Sequence, residues 1–294
     1  MHRPHSTVAA PAVAAPIVLR LFARLPLSLA QRLGSVLGWA VYGISPTYRR
    51  NLRANLARAG YGDDAAVRRA AVAHAGRMLA EAPAMWLRPQ AEVAALVREI
   101  EGLEGALAAR AAGKALLFLT PHMGCFEITA QYAAGRFPMT VLYRAPKLGW
   151  LDPLMRAGRG RGGVRLVPAD FRGVRELLAA LKRGEAAGFL PDQVPGEGEG
   201  EWAEFFGAPA YTGTLAPRLA QRPDIACFLA YARRLPGAAG YAITIRPYPE
   251  PRPGESPTRQ LNRALEALVR ECPEQYLWGY NRYKTPSGAK PRPA

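Results

Sequence analysis

The spacing of apolar and polar residues changes once along this chain. Up to about residue 110 it is helical. Residues 1–16 (MHRPHSTVAAPAVAAP) are rich in Pro and Ala and carry no clean apolar core ahead of a cleavage site. This predicts a disordered leader rather than a secretory signal. Residues 17–46 are strongly apolar but punctuated by Arg20, Arg24 and Arg32, and the longest uncharged run, Leu33 to Tyr48, is 16 residues. A spanning helix needs about 20 apolar residues. The stretch therefore reads as an amphipathic helix in a membrane interface, its arginines reaching toward headgroups, or else as an ordinary core helix. Two further helices follow: TYRRNLRANLARAG, with its basic residues to one side, and DDAAVRRAAVAHAGRMLAEAPAMWL, which starts at an Asp-rich cap.

From Gly113 onward, short apolar runs alternate with helical stretches. The runs are 115–119, 139–143, 164–167, 186–190, 226–232 and 241–246; CFEITAQYAA, FRGVRELLAALKRG, TGTLAPRLAQR and PTRQLNRALEALVREC lie between or after them. Strands alternating with helices predict an α/β fold with a mixed, largely parallel sheet flanked by helices. One domain over 47–286, followed by a loose tail at 287–294, accounts for the pattern, and no internal repeat is present.

Composition narrows the function classes. With 49% hydrophobic residues the chain can bury a sizeable core, which excludes an intrinsically disordered protein. The formal charge is +16, and 34 of the 39 basic residues are Arg. Such a surface attracts anionic partners: nucleic acid, a phospholipid surface or an acidic carrier protein. The nucleic-acid signatures are missing, with no zinc-finger spacing, aromatic RNP motif or zipper-type basic helix. Three cysteines without paired spacing exclude a CxxC metal site and a disulfide framework, and suggest a reducing compartment. No cofactor motif stands out; GEGEGE (196–201) lacks a Lys and reads as a flexible loop rather than a nucleotide cradle. Of four histidines, two lie in the leader, so imidazole chemistry falls to His74 or His122. His74 sits among alanines on a helix with no acid or nucleophile beside it and reads as structural.

The segment LLFLTPHMGCFEITAQYA runs a buried strand into a turn and then a helix. His122 and Glu127 would lie about 140° apart on an ideal helix. With His122 on the turn and Glu127 in the first helical turn they can converge, and Gly124 frees the backbone to make that turn. The strand's carboxyl end is where α/β sheets place ligands. On spacing alone, a histidine here is more often a structural hydrogen-bonder than a base. Cys125 is a rival nucleophile. Arg144, Lys147, Arg156, Arg159, Arg161 and Arg165 form the densest basic run, with Asp152 its only acid; it suits phosphate binding or forms a solvated face. Asp192 ends the strand AAGFLPD and should point into the same cleft, unless it merely shapes a turn.

Four blocks in order resemble one family: His122-Met-Gly-Cys-Phe-Glu127 (an HX4E motif); Tyr143-Arg144-Ala-Pro146-Lys147 with Arg156-Ala-Gly-Arg159-Gly-Arg161; Pro191-Asp192-Gln193 with Phe205-Phe206-Gly207; and Pro273-Glu-Gln275-Tyr-Leu-Trp278 with Arg282-Tyr-Lys284. Together they resemble the late acyltransferases of lipid A biosynthesis, the lauroyl/myristoyl transferase family, over roughly residues 17–286. The resemblance implies a glycerol-3-phosphate acyltransferase-like fold and transfer of a fatty acyl chain from acyl carrier protein to a hydroxyl of a phosphorylated glycolipid, the lipid A precursor. It also implies a site at the cytoplasmic face of the inner membrane. Its functional positions fall on His122, Glu127, Arg159 and Asp192, with Arg144 and Arg156 beside them for substrate. His122 would be the general base and Glu127 would fix its tautomer; Asp192 would orient Arg159 or another site group. Thr120-Pro121 and Gly279-Tyr280-Asn281 depart from the family pattern and bear on the acceptor. The alternatives are the same fold acting on a lysophospholipid or other glycolipid, and a non-catalytic basic protein binding membrane or nucleic acid. The His122/Glu127 pair argues against the latter.

Overall fold

A computed structural model describes residues 10–196, 198–289 and 291–292, with side chains from residue 17. Five helices open the chain: α1 (Ala10–Ala23), α2 (Leu27–Ile44), α3 (Pro46–Arg58), α4 (Ala65–Leu87) and the short α5 (Gln90–Ala94). Strands and helices then alternate as β1 (Val97–Glu101), α6 (Leu103–Ala111), β2 (Ala115–Leu119), α7 (Phe126–Ala134), β3 (Met139–Tyr143), α8 (Asp152–Arg159), β4 (Val164–Pro168), α9 (Phe171–Lys182) and β5 (Ala186–Phe189). A hairpin of β6 (Gly200–Phe205) and β7 (Ala208–Gly213) follows, then α10 (Leu215–Ala220), β8 (Ile225–Arg234), β9 (Tyr241–Pro247) and α11 (Pro257–Glu271).

Seven strands form one sheet in the order β1-β9-β8-β2-β5-β3-β4, parallel throughout except for the antiparallel β8–β9 pair. This is the mixed, largely parallel sheet expected. Every residue of the central β2 is buried, because helices cover both faces and no alternation is needed. Leu117 and Leu119 face a core shared with Leu177 of α9 and Leu265 of α11. Leu116 and Phe118 face the opposite core with Ile128 of α7 and Ala106 of α6.

Three local expectations are corrected. The stretch 17–46 forms two helices, not one, and the first already includes residues 10–16, assigned above to a disordered leader; residues 1–9 of that leader lie outside the described residues. Pro26 causes the break, since it lacks an N–H and its φ of −50° and ψ of 141° are not helical. Residues 97–101, read as helical, form an edge strand on β9. The end of GEGEGE is not loop: Gly200 and Glu201 begin β6, and the two-residue link Phe206-Gly207 takes positive φ at both positions, the backbone a tight hairpin demands.

α2 lies unusually close to α4. A methyl group added at Gly76 would sit 1.9 Å from the Gly34 carbonyl oxygen, and one at Gly38 would sit 2.2 Å from that of Val72. No helix among the described residues is long and apolar enough to cross a membrane. The outward side of α1 and α2 is nonetheless apolar, with Leu21, Val36 and Ile44 60%, 68% and 80% exposed.

Candidate active site

His122 is fixed from several directions just beyond the end of β2. Its backbone N–H donates to Asp192 Oδ2 (2.9 Å) and its carbonyl accepts from the Leu277 N–H (3.0 Å). The ring Nδ1 lies 2.8 Å from Asp192 Oδ1, and Nε2 lies 3.2 Å from Gln193 Nε2. With a carboxylate on Nδ1, that nitrogen carries the proton, and Nε2 accepts from the Gln193 amide. Burial alone would raise the Asp192 pKa; the charge and hydrogen bonds of His122 outweigh it and hold the carboxyl below its ordinary value. Around the pair, Tyr276 is buried and its phenol is pushed well up, first by burial and then by the charge of Asp192. The Val194 N–H donates to the Tyr280 hydroxyl (3.1 Å), which ties the Asp192-Gln193 turn to the carboxyl-terminal segment.

The carboxylate that meets the imidazole is therefore Asp192, not the expected Glu127. Glu127 lies in the first turn of α7, almost fully buried, and accepts from Arg159 on both oxygens, one bond being Nε to Oε2 at 2.8 Å. Rings of Trp86 and Tyr143 each stand 5.6 Å from the Arg159 guanidinium. Burial works against the Arg159 charge, but Glu127 outweighs it and raises the pKa above the ordinary value. Five residues of sequence separation left Glu127 within reach of His122. In the fold, α7 delivers Glu127 to Arg159 at the end of α8, while the loop after β5 delivers Asp192 to His122.

Other candidates separate into distinct environments. Arg144 is exposed at the mouth of the cavity described below. Arg156 is exposed and committed to Asp152 (2.7 Å), with its guanidinium 4.9 Å from the Tyr143 ring, and it does not line the cavity. Arg161 donates to the main-chain carbonyls of Arg88 and Met85 and so braces α4. Cys125 is buried, and burial first, then the Glu81 carboxylate, pushes its thiol well above the ordinary value, so the thiolate a nucleophile needs is suppressed.

The turn itself is clamped from below. Gly124 has φ of 56°, and a methyl group there would lie 1.9 Å from the Ala232 carbonyl oxygen. Its N–H donates to the Gln275 carbonyl (3.0 Å) and its carbonyl accepts from Arg234 Nη2 (2.9 Å). Arg234 is buried against Glu81 of α4, which also accepts from Gln31 of α2 (2.7 Å). Sequence reasoning missed Gln193, Gln275 and the Glu81–Arg234 pair. Gln193 and Gln275 stood inside the quoted blocks, but nothing local paired Glu81 with a residue 153 positions away.

His122, Gln193, Glu127 and Arg159 line one cavity of about 720 Å³. From these polar groups it runs between the sheet and α7 past Phe118, Val141, Ala230 and Ile245. A polar mouth with an imidazole and a long apolar interior suits a fatty chain with a reactive carbonyl at its head. Among the described residues no group of His, Cys, Asp and Glu is arranged to hold a metal ion. The sequence profile of bacterial lipid A biosynthesis acyltransferases matches residues 5–285. The chain belongs to that family. It is similar to the lipid A biosynthesis palmitoleoyltransferase of Escherichia coli K12, with 26% identity over 213 residues, covering 71% of this chain and 69% of the relative. It is likewise 26% identical to the lauroyltransferase of the same organism, covering 74% and 72%. A lipid A biosynthesis acyltransferase of Haemophilus influenzae matches at 26%, over 61% and 57%. Membership makes this chain an acyltransferase of lipid A synthesis.

Proposed function

We propose that this acyltransferase moves a fatty acyl chain from acyl carrier protein to a hydroxyl of a lipid A precursor, with His122 as general base. The observation that carries the reading is an imidazole that lines the cavity with its Nδ1 held by buried Asp192 and its Nε2 beside the Gln193 amide. A hydroxyl is a poor nucleophile unless its proton leaves during attack, and neutral imidazole suits that task near neutral pH. The acceptor hydroxyl displaces the Gln193 amide from Nε2, and its oxygen bonds to the thioester carbonyl carbon. The carbon–sulfur bond then breaks, and the departing thiolate takes the proton back from the imidazolium. Asp192 orients the ring and stabilises its charged form, as the acid of a hydrolase triad does. Glu127, clamped by Arg159, shapes the polar mouth in which the acceptor sits, with Arg144 at that mouth available to anionic groups of the substrate; Arg156 stays paired with Asp152. The apolar outward side of α1 and α2 holds the enzyme on the cytoplasmic face of the inner membrane.

The test is transfer by the purified chain from an acylated carrier protein to lipid A precursor, with products identified by mass spectrometry. A product one acyl chain heavier, absent with His122→Ala, is expected. Normal transfer by His122→Ala, or preferential use of acyl-CoA on a lysophospholipid, would overturn the reading.

A further inference from the structure

The loop after β3 and the start of α9 form one edge of the cavity mouth. They are neighbours because β3 and β4 pair in parallel, Tyr143 opposite Pro168, and the Ala169 N–H donates to the Tyr143 carbonyl (2.9 Å). Arg144 and Phe171 both line the opening. This edge exposes large apolar side chains that folding would ordinarily hide: Phe171 is 89% exposed, Leu148 57% and Trp150 38%. Interleaved with them, Arg144, Lys147 and Arg175 are exposed and have no anionic partner among the described residues. An aromatic and aliphatic cluster set among unpaired cations is the composition of a surface that sits in anionic headgroups.

The rest of the fold links a second apolar surface to this edge. Arg88, which caps α4, donates to the Ala23 carbonyl (2.7 Å) at the elbow between α1 and α2, and Arg161 donates to the Arg88 carbonyl. Arg161 closely follows α8, and Gly158 of α8 packs directly on Trp86 of α4. The turn holding Trp150 (Gly149–Leu151) runs straight into α8. The exposed apolar side chains of α1 and the mouth of the cavity are thus joined through α4 and α8.

We infer that Leu148, Trp150 and Phe171, with Arg144, Lys147 and Arg175, form a second lipid-contacting surface that seats the cavity mouth in the headgroup layer of an anionic bilayer. A lipid then passes from the bilayer into the cavity without crossing water, and α1 and α2 are not the whole of the membrane contact. The alternative occupant, an acidic carrier protein, would use the cations but leaves a nearly fully exposed phenylalanine without a purpose.

The experiment uses the full chain with Phe171→Cys, and separately Leu148→Cys, labelled with an environment-sensitive fluorophore. The native thiols are buried or half-buried, so an exposed one labels selectively. Lys114→Cys, exposed ahead of β2 at the opposite end of the strand, is the control. Vesicles of phosphatidylethanolamine and phosphatidylglycerol with brominated acyl chains should blue-shift and quench the label at 171 and 148, and leave the label at 114 unchanged. Absence of quenching at both rim positions, or equal quenching at 114, overturns the inference. So does a response to purified acyl carrier protein without one to vesicles. The readout needs no turnover, so a failed transfer assay leaves it standing.

Discussion

At the scale of single residues, the site separates groups that touch the reaction from groups that hold them. His122→Ala should lower transfer by about 10²-fold or more, the usual contribution of a positioned base. Asp192→Asn should reduce kcat with little change in KM, because an amide can favour the wrong ring tautomer without altering the cavity. Cys125→Ala should keep most activity, since its thiol is buried and protonated; steady-state rates of the three purified variants check these expectations. His74 offers a different test. Burial, then the charges of Arg234 and Arg77, push its pKa down to about 3. Below the ordinary value of about 6.5 the unfolded chain takes up a proton that the folded chain refuses. Stability is therefore lost as pH falls from about 6.5 toward 3, by up to about 1.4 kcal/mol per unit. The depressed Asp192 carboxyl adds stability that is lost in the same direction, further into acid. His74→Leu should flatten the upper part of this decline, measured as the urea midpoint against pH.

At the scale of elements, the turn that carries His122 depends on helices far from it in sequence. Arg234 links the Gly124 carbonyl to Glu81 of α4, and Glu81 is shared with Gln31 of α2. Removing one partner of a fully buried pair strands the other charge, at a cost of about 3–5 kcal/mol. Glu81→Ala should therefore lower the denaturation midpoint sharply, whereas the surface pair Arg183–Glu185 should be nearly dispensable. The α2–α4 contact has a separate sensitivity. Leucine at Gly76 has no room, because even its Cβ would meet the Gly34 carbonyl. Gly76→Leu should push α2 away from α4 and open α2 to protease, which limited proteolysis would detect. The hairpin of β6 and β7 is held by the carboxyl-terminal segment and α11. Buried Arg282 donates to the Tyr211 carbonyl and the Thr212 hydroxyl, both at 2.7 Å, and Asn262 of α11 donates to Thr212 (3.0 Å).

At the scale of the whole molecule, charge and apolar surface act together. A +16 protein should meet an acidic carrier faster than a neutral one would, and that attraction is screened over about 8 Å at physiological salt. Raising the salt should therefore raise the apparent KM for an acylated carrier protein and change kcat little. Equal KM values at low and high salt would remove charge steering from the account. Lipid binding should resist salt better, because exposed Val36, Ile44 and Phe171 contribute apolar area that salt does not screen.

The sequence by itself determined the class of the fold and most of its sheet. The runs at 115–119 and 139–143 match β2 and β3 residue for residue, because strands buried on both faces write continuous apolar stretches. Of the residues the sequence singled out, His122, Glu127, Arg144 and Arg159 line one cavity and Asp192 meets His122 beside it, while Arg156 stays outside. The edge strand β1 escaped, since it pairs along one side only, and the hairpin escaped because a glycine-rich start hides a strand. Only the tertiary structure decided which charge meets which. HX4E spacing puts Glu127 five residues from His122, yet the strand order sets β5 beside β2 and brings the loop carrying Asp192 to the imidazole. Helix α7 turns Glu127 toward Arg159 instead. Local spacing limits what a side chain can reach; the order and register of distant strands choose among the partners within that reach.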